Sequence, residues 1–334
     1  MRHIHRSIAL TDRSSVGEAR RAAVNVALTL GFDEGRRNDI GIAATEAANN
    51  VVLHAKGGEL LICSHGREGS FLLDLMAIDN GPGILNVSRA MEDGFSTTGT
   101  PGQGLGAIDR LSDHSSLYSI PEKGTIYWCR FSRSKGALTY PVGVVTVPIK
   151  GETVSGDGYF TLPGESRSLY MVVDGLGHGL GASEAADEAL SAVEASSQET
   201  AIEIVSRTHD ALKKTRGAAM SVAIIDHDRK ILTYAGVGNI GATLSSGGTN
   251  RSLISQNGTL GAVMPRLQSY TYPIERNTLL IMFSDGLASK TGLSAYTGLQ
   301  LRNPALIAGV LYRDFSRKRD DATVLVARME EERG

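Results

Sequence analysis

The sequence predicts an α+β protein built as two domains, and three observations carry that prediction. In the first half, helical runs are followed by two strand-like segments joined by a short polar turn, the pattern of helices laid on an antiparallel hairpin. In the second half, a series of short apolar strands surrounds two adjacent helices without a regular β-α-β alternation, which predicts a layered α/β sandwich. Between them "SRSKGALTYPVG" is polar, contains Gly and Pro, and precedes a fresh strand series. The boundary is therefore placed near Gly136, with a first domain over 1–135 and a second over 136–334. At 334 residues each half has the roughly 100–200 residues with which a domain buries its own core.

The elements follow in order. A short strand near Ser7 to Leu10 precedes Ser15 and Glu18, which have the spacing of a capping box. Ala19, Ala23, Val26, Ala27 and Leu30 then repeat at helical spacing until Gly31, so the first helix is expected over about Val16 to Leu30. A second helix is expected over roughly Glu34 to Ala55, followed by "ELLICSH" and "FLLDLMAID" as strands about the turn "GREGS". Loop-like sequence then runs to a helix near Ala107, and "GTIYWCRFS" is a strand ending near Ser132. In the second half "DGYFTLP", "SLYMVVD", "SVAIIDH", "KILTYAGVG", "TLLIMFSD" and "ATVLVAR" read as strands, with helices over about Leu180 to Ser196 and Thr200 to Lys214.

Composition narrows the function classes. The 34 basic and 36 acidic residues are mixed along the chain, so no basic stripe predicts nucleic acid. Cys63 and Cys129 both lie in apolar strand-like runs, which suits a reducing compartment rather than a disulfide framework. The opening "MRHIHRSIALTDRSS" lacks the apolar core of a signal peptide, and no run approaches the ~18 apolar residues of a membrane span. The expectation is a soluble cytoplasmic protein whose partners are proteins or small molecules, without nucleic acid or membrane.

On the second helix Glu46, Asn50 and His54 stand at i, i+4 and i+8, a polar file on an Ala- and Val-rich segment. An amide oxygen is a hard ligand for Mg²⁺, and a carboxylate one turn away can deprotonate a hydroxyl; the bland alternative is a solvated face. "AIDNGPGI" places Asp79 at a strand end before Gly81 and Gly83, and "GTPGQGLGA" places Gly102, Gly104 and Gly106 before a helix, where bare N–H groups can cradle phosphates.

Together these boxes, from about Arg6 to Ser132, resemble the GHKL-type ATPase fold of histidine kinases, gyrase and Hsp-ninety, and within it the anti-sigma-factor serine kinases. That resemblance implies a two-layer α/β sandwich that binds ATP and Mg²⁺. It assigns Mg²⁺ to Asn50, the adenine amino group to Asp79, the adenine pocket to Gly81, Gly83 and Thr125 of "KGT", and the phosphates to Gly104 and Gly106. Glu46 is implied as the base that accepts the proton of an attacking protein serine or threonine. The short lid between Gly83 and Gly102, with no phospho-acceptor histidine domain, points to the serine-kinase branch. His54 recurs in that branch, where packing explains it at least as well.

The second half places aspartates at strand ends and turns: Asp157 in "VSGDGYF", Asp174 in "VVDGLGHG", Asp285 in "FSDGLAS", and Asp320 with Asp321 in "KRDDATVLV". A single Asp-Gly is an ordinary turn. Several at one sheet edge repel one another, and divalent cations relieve that repulsion, Mg²⁺ or Mn²⁺ suiting hard oxygen ligands and activating water for attack on phosphorus.

The order SGD, DGxGHG, SDG, DDAT, from about Tyr140 to Arg328, resembles the stage-II-sporulation-protein-E branch of the metal-dependent protein phosphatases, which have the protein phosphatase 2C fold. The resemblance implies two Mn²⁺ or Mg²⁺ held by Asp157, Asp174 and the Gly175 carbonyl, with Asp285 and Asp320 binding one ion each or sharing one. Asp321 is the less expected ligand of its pair. An arginine for the substrate phosphate is not evident at the position where larger family members carry it, and a glycine-flanked His178 reads as exposed more readily than as a general acid.

The combined expectation is a bifunctional partner-switching regulator of the stress-response kind. Its first domain would phosphorylate, and its second dephosphorylate, serine or threonine on a STAS-type anti-sigma antagonist or a sensor-scaffold of the same fold. A sigma factor or downstream switch target is a further implied partner, and the kinase branch implies a homodimer through the first domain. The alternative of another class is a phosphatase whose first domain is a non-catalytic, ATP-bound anti-sigma or target-binding module; Glu46 favours catalysis, since a binder needs no base. A third reading takes Gly177, Gly179 and Ala182 as a dinucleotide fingerprint. It needs a strand ending in an acidic residue about 20 positions on, where Ser191 to Thr200 reads as a helix end and linker.

Overall fold

A computed structural model describes residues 3–55, 57–66, 71–87, 104–133, 141–264, 266–289 and 291–329. The chain divides into two compact units, Met1–Thr139 and Tyr140–Gly334. Gly136 and the segment between Val87 and Gly104, which holds Gly102 and all of the expected lid beyond Val87, lie outside the described residues.

In the first unit β1 (His5–Leu10), β2 (Gly58–His65), β3 (Leu72–Asp79), β4 (His114–Ile120) and β5 (Gly124–Ser132) form one sheet in the order β1-β2-β3-β5-β4, every pairing antiparallel. Helices α1 (Arg13–Thr29), α2 (Glu34–Asn50) and α3 (Gly104–Leu111) complete the two-layer sandwich. Ala19, Ala23 and Ala27 of α1 and Ala43, Ala44 and Ala47 of α2 share a core with Leu60, Ile62, Leu73, Leu75, Cys129 and Phe131 of the sheet. Small side chains on both helices let their backbones approach, and the period-2 alternation of the strands supplies the opposing apolar face.

Two local expectations are corrected. The cap of α1 is Asp12, three residues ahead of Ser15: its Oδ1 accepts from Ser14 N at 2.7 Å and Ser15 N at 3.2 Å, and Ser15 Oγ donates to the Asp12 carbonyl. A carboxylate two residues before the amide it caps outcompetes the hydroxyl. The second helical run is α-helical only to Asn50, and Val51–Ala55 form a π turn. Beyond Asn50 the wider turn breaks the i+4 spacing, so His54 leaves the file of Glu46 and Asn50 and is exposed. The end of α1 follows its sequence signal: Gly31 has φ +75°, Gly31 N donates to Leu28 O and Phe32 N to Ala27 O.

The second unit has two five-stranded sheets, β13-β10-β9-β8-β7 and β12-β11-β14-β15-β6. Their strands are β6 (Val142–Val147), β7 (Asp157–Leu162), β8 (Arg167–Gly175), β9 (Ala218–Asp226), β10 (Ile231–Val237), β11 (Gly241–Ser246), β12 (Thr249–Ser252), β13 (Tyr270–Pro273), β14 (Leu279–Phe283) and β15 (Ala322–Arg328). Alternation along β8 sends Tyr170 and Val172 into a core with Val144, Leu280, Met282 and Leu325 of the other sheet. Leu169, Met171 and Val173 point the opposite way, into a core with Ala185, Ala189 and Val193 of α4 (Leu180–Ala195) and Ile204 and Val205 of α5 (Ala201–Ala211). Helix α6 (Pro304–Phe315) lies against β6 so closely that a methyl at Gly143 would stand 2.1 Å from Ala305 N. The result is a helix–sheet–sheet–helix sandwich. Cys63 and Cys129 are buried and form no disulfide, and no helix among the described residues is long and apolar enough to cross a membrane.

Candidate nucleotide and phosphatase sites

In the first unit, β3 ends at Asp79, which is buried. Its Oδ1 accepts from Gly81 N at 2.8 Å and Thr125 N at 3.1 Å, so the strand-end carboxylate is held in one rotamer by the loops on either side. Glycine is required in both: a Cβ at Gly83, at φ +71°, would stand 2.3 Å from Ile120 O, and one at Gly124, at φ +89°, would stand 2.1 Å from Asp79 O. A methyl at Gly81 would meet Ala55 at 2.7 Å, which ties this loop to the π turn behind α2. Thr125 Oγ1 lies 2.9 Å from Ser119 Oγ.

Asp79, Gly81, Gly83 and Thr125 are thus brought together. Glu46 and Asn50 lie one turn apart at the end of α2, both half-buried, and Gly104 and Gly106 open α3. Among the described residues the Asn50 Nδ2 atom is buried with no hydrogen-bond partner. A carboxamide whose two ends interchange by rotation and one of whose polar atoms has no protein partner suits a cation or a hydrated phosphate.

In the second unit Asp157 opens β7 and is paired in register with Asp174 at the end of β8. Asp157 Oδ2 accepts from Ser284 Oγ at 2.6 Å, and Ser284 Oγ also accepts from Thr323 N at 2.9 Å, so the other sheet fixes this carboxylate. Asp285 stands two residues beyond the end of β14, after Ser284, and accepts from Asn239 Nδ2 at 2.7 Å. Its neighbour Gly286 packs so tightly that a Cβ would stand 1.9 Å from the Asp321 carbonyl, which places the SDG turn against the DDAT turn. Gly175 is equally constrained, a Cβ there meeting Ala182 O at 2.2 Å.

The electrostatics show crowding. Burial and then the Asp174 charge push Asp157 well above the usual carboxylate range. Burial, followed by Asp285, Asp320 and Asp321, pushes Asp174 up to about 8. Asp285 is raised by burial and Asp320, against the opposing pull of Arg317 and the Asn239 hydrogen bond. As they stand, no three carboxylate, imidazole or thiol groups among the described residues converge on one coordination point. The donor set nevertheless fits a divalent ion: hard oxygens only, in mutual repulsion that positive charge relieves.

The two adjacent aspartates are distinguished. Asp321 is buried, with Oδ1 accepting from Ile149 N and Oδ2 from Gly156 N, both at 2.7 Å. Both oxygens therefore hold the connection between β6 and β7. Asp320 is half-buried, accepts from Asp321 N at 2.9 Å, and acts on Asp174 and Asp285 through its charge. His178 is exposed and its Nδ1 lies 2.9 Å from Glu152 Oε1. Sequence reading passed over Ser284, Asn239 and Glu152; only Ser284, adjacent to Asp285 in "FSDG", carried a local signal.

Comparison with known proteins gives two family matches, Stage II sporulation protein E (SpoIIE) over residues 164–330 and a histidine kinase-like ATPase domain over residues 9–130. The serine/threonine-protein kinase RsbT of Bacillus subtilis is 40% identical over 116 residues, covering 34% of this chain and 87% of RsbT. The phosphoserine phosphatase RsbX of the same organism is 29% identical over 139 residues, covering 41% of this chain and 70% of RsbX. A solved chain from "The bacterial stressosome: a modular system that has been adapted to control secondary messenger signaling" superposes with a TM-score of 0.53 at 28% identity, covering 56% of this chain and 98% of that one. RsbX crystallised with magnesium has the same fold, with a TM-score of 0.50 at 24% identity over 55% of this chain and 92% of that one.

Proposed function

For a chain that belongs to the Stage II sporulation protein E family and carries an RsbT-like kinase part ahead of its phosphatase part, we propose that the two activities act on the same serine or threonine of a partner-switch protein. The substrate class is a STAS-type anti-sigma antagonist or a scaffold of the same fold, in the cytoplasm, with the kinase confined to 1–135 and the phosphatase to 136–334. The observation that carries the phosphatase half is the aspartate cluster, Asp157 paired with Asp174 across two strands and pressed by Asp285 and Asp320. Asp157, Asp174, the Gly175 carbonyl, Asp285 and Asp320 would hold two Mn²⁺ or Mg²⁺. Ions so held lower the pKa of water and neutralise charge on a phosphoryl group under attack.

The chain's own residues set the rest. Ser284 and Thr323 keep Asp157 oriented from the second sheet, and Asp321 holds the β6–β7 connection so that the Asp157 edge stays in place. In the first unit Asp79, fixed by Gly81 and Thr125, would accept from the adenine amino group. Gly104 and Gly106 would present backbone N–H groups to the phosphates, and Asn50 would hold Mg²⁺. Glu46, one turn before Asn50, would take the proton from the attacking hydroxyl as its oxygen bonds to the γ-phosphorus and ADP leaves.

A phosphate adds about −1.5 to −2 charge to the partner surface, enough to reject one partner and admit another. The test is to incubate the full chain with ATP, Mg²⁺ or Mn²⁺ and candidate antagonists from the same genome, and to follow intact mass. Gain of one phosphate with ATP, and its loss on a metal-dependent path without ATP, is expected. No gain with a retained loss leaves the first unit as a binding module, and a phosphorylated antagonist unchanged under Mn²⁺ overturns the phosphatase reading. Homodimerisation through the first unit is checked by its concentration-dependent mass.

A further inference from the structure

The turn after Asp174 carries a cation as well as carboxylates. Gly175 pairs with Ala218 on β9, and Leu176 N donates to Gly217 O at 3.0 Å, so Arg216 enters the sheet beside the turn, on the side away from Asp157 on β7. Its guanidinium lies over the glycines. A methyl at Gly181 would stand 2.6 Å from Nε, 2.8 Å from Cζ and 3.1 Å from Nη2, and one at Gly177 would stand 3.3 Å from Nη1. The absence of side chains at 177 and 181 is what leaves this group its room.

Arg216 is exposed, and among the described residues no hydrogen bond or ion pair engages its side chain. Other arginines of this unit are spent on the fold: Arg167 on the Ser197 and Glu199 carbonyls, Arg313 on Asp314, and Arg328 on the Gln300 and Arg302 carbonyls. Arg317 faces the charge of Asp285. Arg216, beside the glycine turn that follows Asp174, keeps its donor fork uncommitted among the described residues. A guanidinium matches a phosphate dianion with two parallel N–H···O bonds and stays charged at any working pH. Leu176 and Leu180 of the same turn are 45% and 68% exposed, apolar shoulders suited to a phosphate carried on protein rather than free in water.

We propose that Arg216 captures the phosphate of the phosphorylated serine or threonine and presents it to the aspartate cluster. The assignment rests on the phosphatase reading and supplies the phosphate-binding arginine that the sequence left unassigned.

The test uses the full chain with Mn²⁺, p-nitrophenyl phosphate as substrate and inorganic phosphate as inhibitor, the latter also titrated by calorimetry. Arg216→Ala and Arg216→Gln should raise KM and the phosphate inhibition constant about tenfold, the scale of a charge-assisted hydrogen bond. The kcat should change less than about threefold, as for a group that binds ground and transition states alike. Calorimetric phosphate affinity should fall in parallel, Arg216→Lys should recover part of it, and the thermal midpoint should not move. An unchanged inhibition constant and calorimetric affinity in an active Arg216→Ala protein overturns the assignment alone. A fall in midpoint and kcat at constant KM also overturns it, making Arg216 a brace for the turn. A wild-type chain inactive on p-nitrophenyl phosphate under Mn²⁺ overturns the phosphatase reading and this assignment with it.

Discussion

Asp157 and Asp174 stand directly opposite one another on adjacent antiparallel strands, and among the described residues only Asp157 of the two is anchored, through Ser284. The fold thereby places a fixed carboxylate beside one that ends its strand in a glycine turn, and like charge makes the pair costly until a cation arrives.

Because Asp174 is raised by burial and its neighbours to about 8, and Asp157 is raised as well, the folded metal-free unit holds protons that the unfolded chain releases. The stability this contributes is complete below the ordinary carboxylate value and is lost as pH rises toward 8. In chelator, the thermal midpoint of the second unit should fall between pH 5 and pH 8, and saturating Mn²⁺ should flatten or reverse that slope. A midpoint that climbs with pH in chelator would show that the carboxylates do not repel. Asp174→Asn should remove both the slope and Mn²⁺-dependent dephosphorylation.

The two aspartates of "DDAT" should separate experimentally. Asp321→Ala leaves the Ile149 and Gly156 amides without their acceptors, at a cost of roughly 1–3 kcal/mol for each buried donor stranded. It should lower the midpoint whether or not metal is present. Asp320→Asn should keep the metal-free midpoint near wild type while weakening Mn²⁺ binding in calorimetry. Reversed behaviour would exchange their roles.

Glu46→Gln keeps the size and burial of the side chain but removes its basicity. With γ-labelled ATP and a phosphorylatable antagonist, transfer should drop at least about a hundredfold, the scale of general base catalysis, while ATP affinity by nucleotide displacement stays within about twofold because Glu46 contributes to proton transfer rather than binding. Asn50→Ala should instead lose Mg²⁺-dependent nucleotide binding. Equal labelling by wild type and Glu46→Gln would remove Glu46 as the base.

Much of this was legible because chemistry and periodicity coincided. Asp79, Asp157, Asp174 and Asp285 each lie in an apolar strand or within two residues of its end, followed within two residues by glycine, so the local sequence announces a carboxylate at a sheet edge. Helix α6 was not foreseen even though Asn303 caps it and Pro304 opens it. Its residues 304–313 are all buried, so no polar stripe marks a 3.6-residue period. Strands β4, β6, β11, β12 and β13 also escaped: "HSSLYSI" and "TNRS" are polar and each forms an edge of its sheet, where pairing rather than apolar content defines the strand. Asn239 meets Asp285, Glu152 meets His178 and Arg216 lies beside Gly177 and Gly181, each from a distant loop, and such neighbours are set by tertiary packing alone.

The first unit contains a buried ion network that carries a separate prediction. Asp74 accepts from Arg130 Nε at 2.7 Å, Arg130 Nη2 at 2.8 Å and Trp128 Nε1 at 2.9 Å, and His65 Nε2 lies 3.1 Å away. Burial by itself would push this carboxyl up, but the Arg130 and His65 charges and hydrogen bonds hold it well below the usual range. A depressed folded value means that the stabilisation is present above the ordinary carboxylate pKa and drains away as pH falls below it. Acid should therefore unfold the first unit in the direction opposite to the metal-free second unit. Asp74→Asn leaves Arg130 buried without its anion, which should cost roughly 3–5 kcal/mol and remove the acid limb of the first unit's transition. The paired change Asp74→Leu with Arg130→Met should cost less than Asp74→Asn alone, since it removes both charges instead of stranding one. Urea midpoints of the wild type and the two variants, read from Trp128 fluorescence at pH 7 and pH 4, measure each step, and a paired variant less stable than the single one would mean that the network is net stabilising.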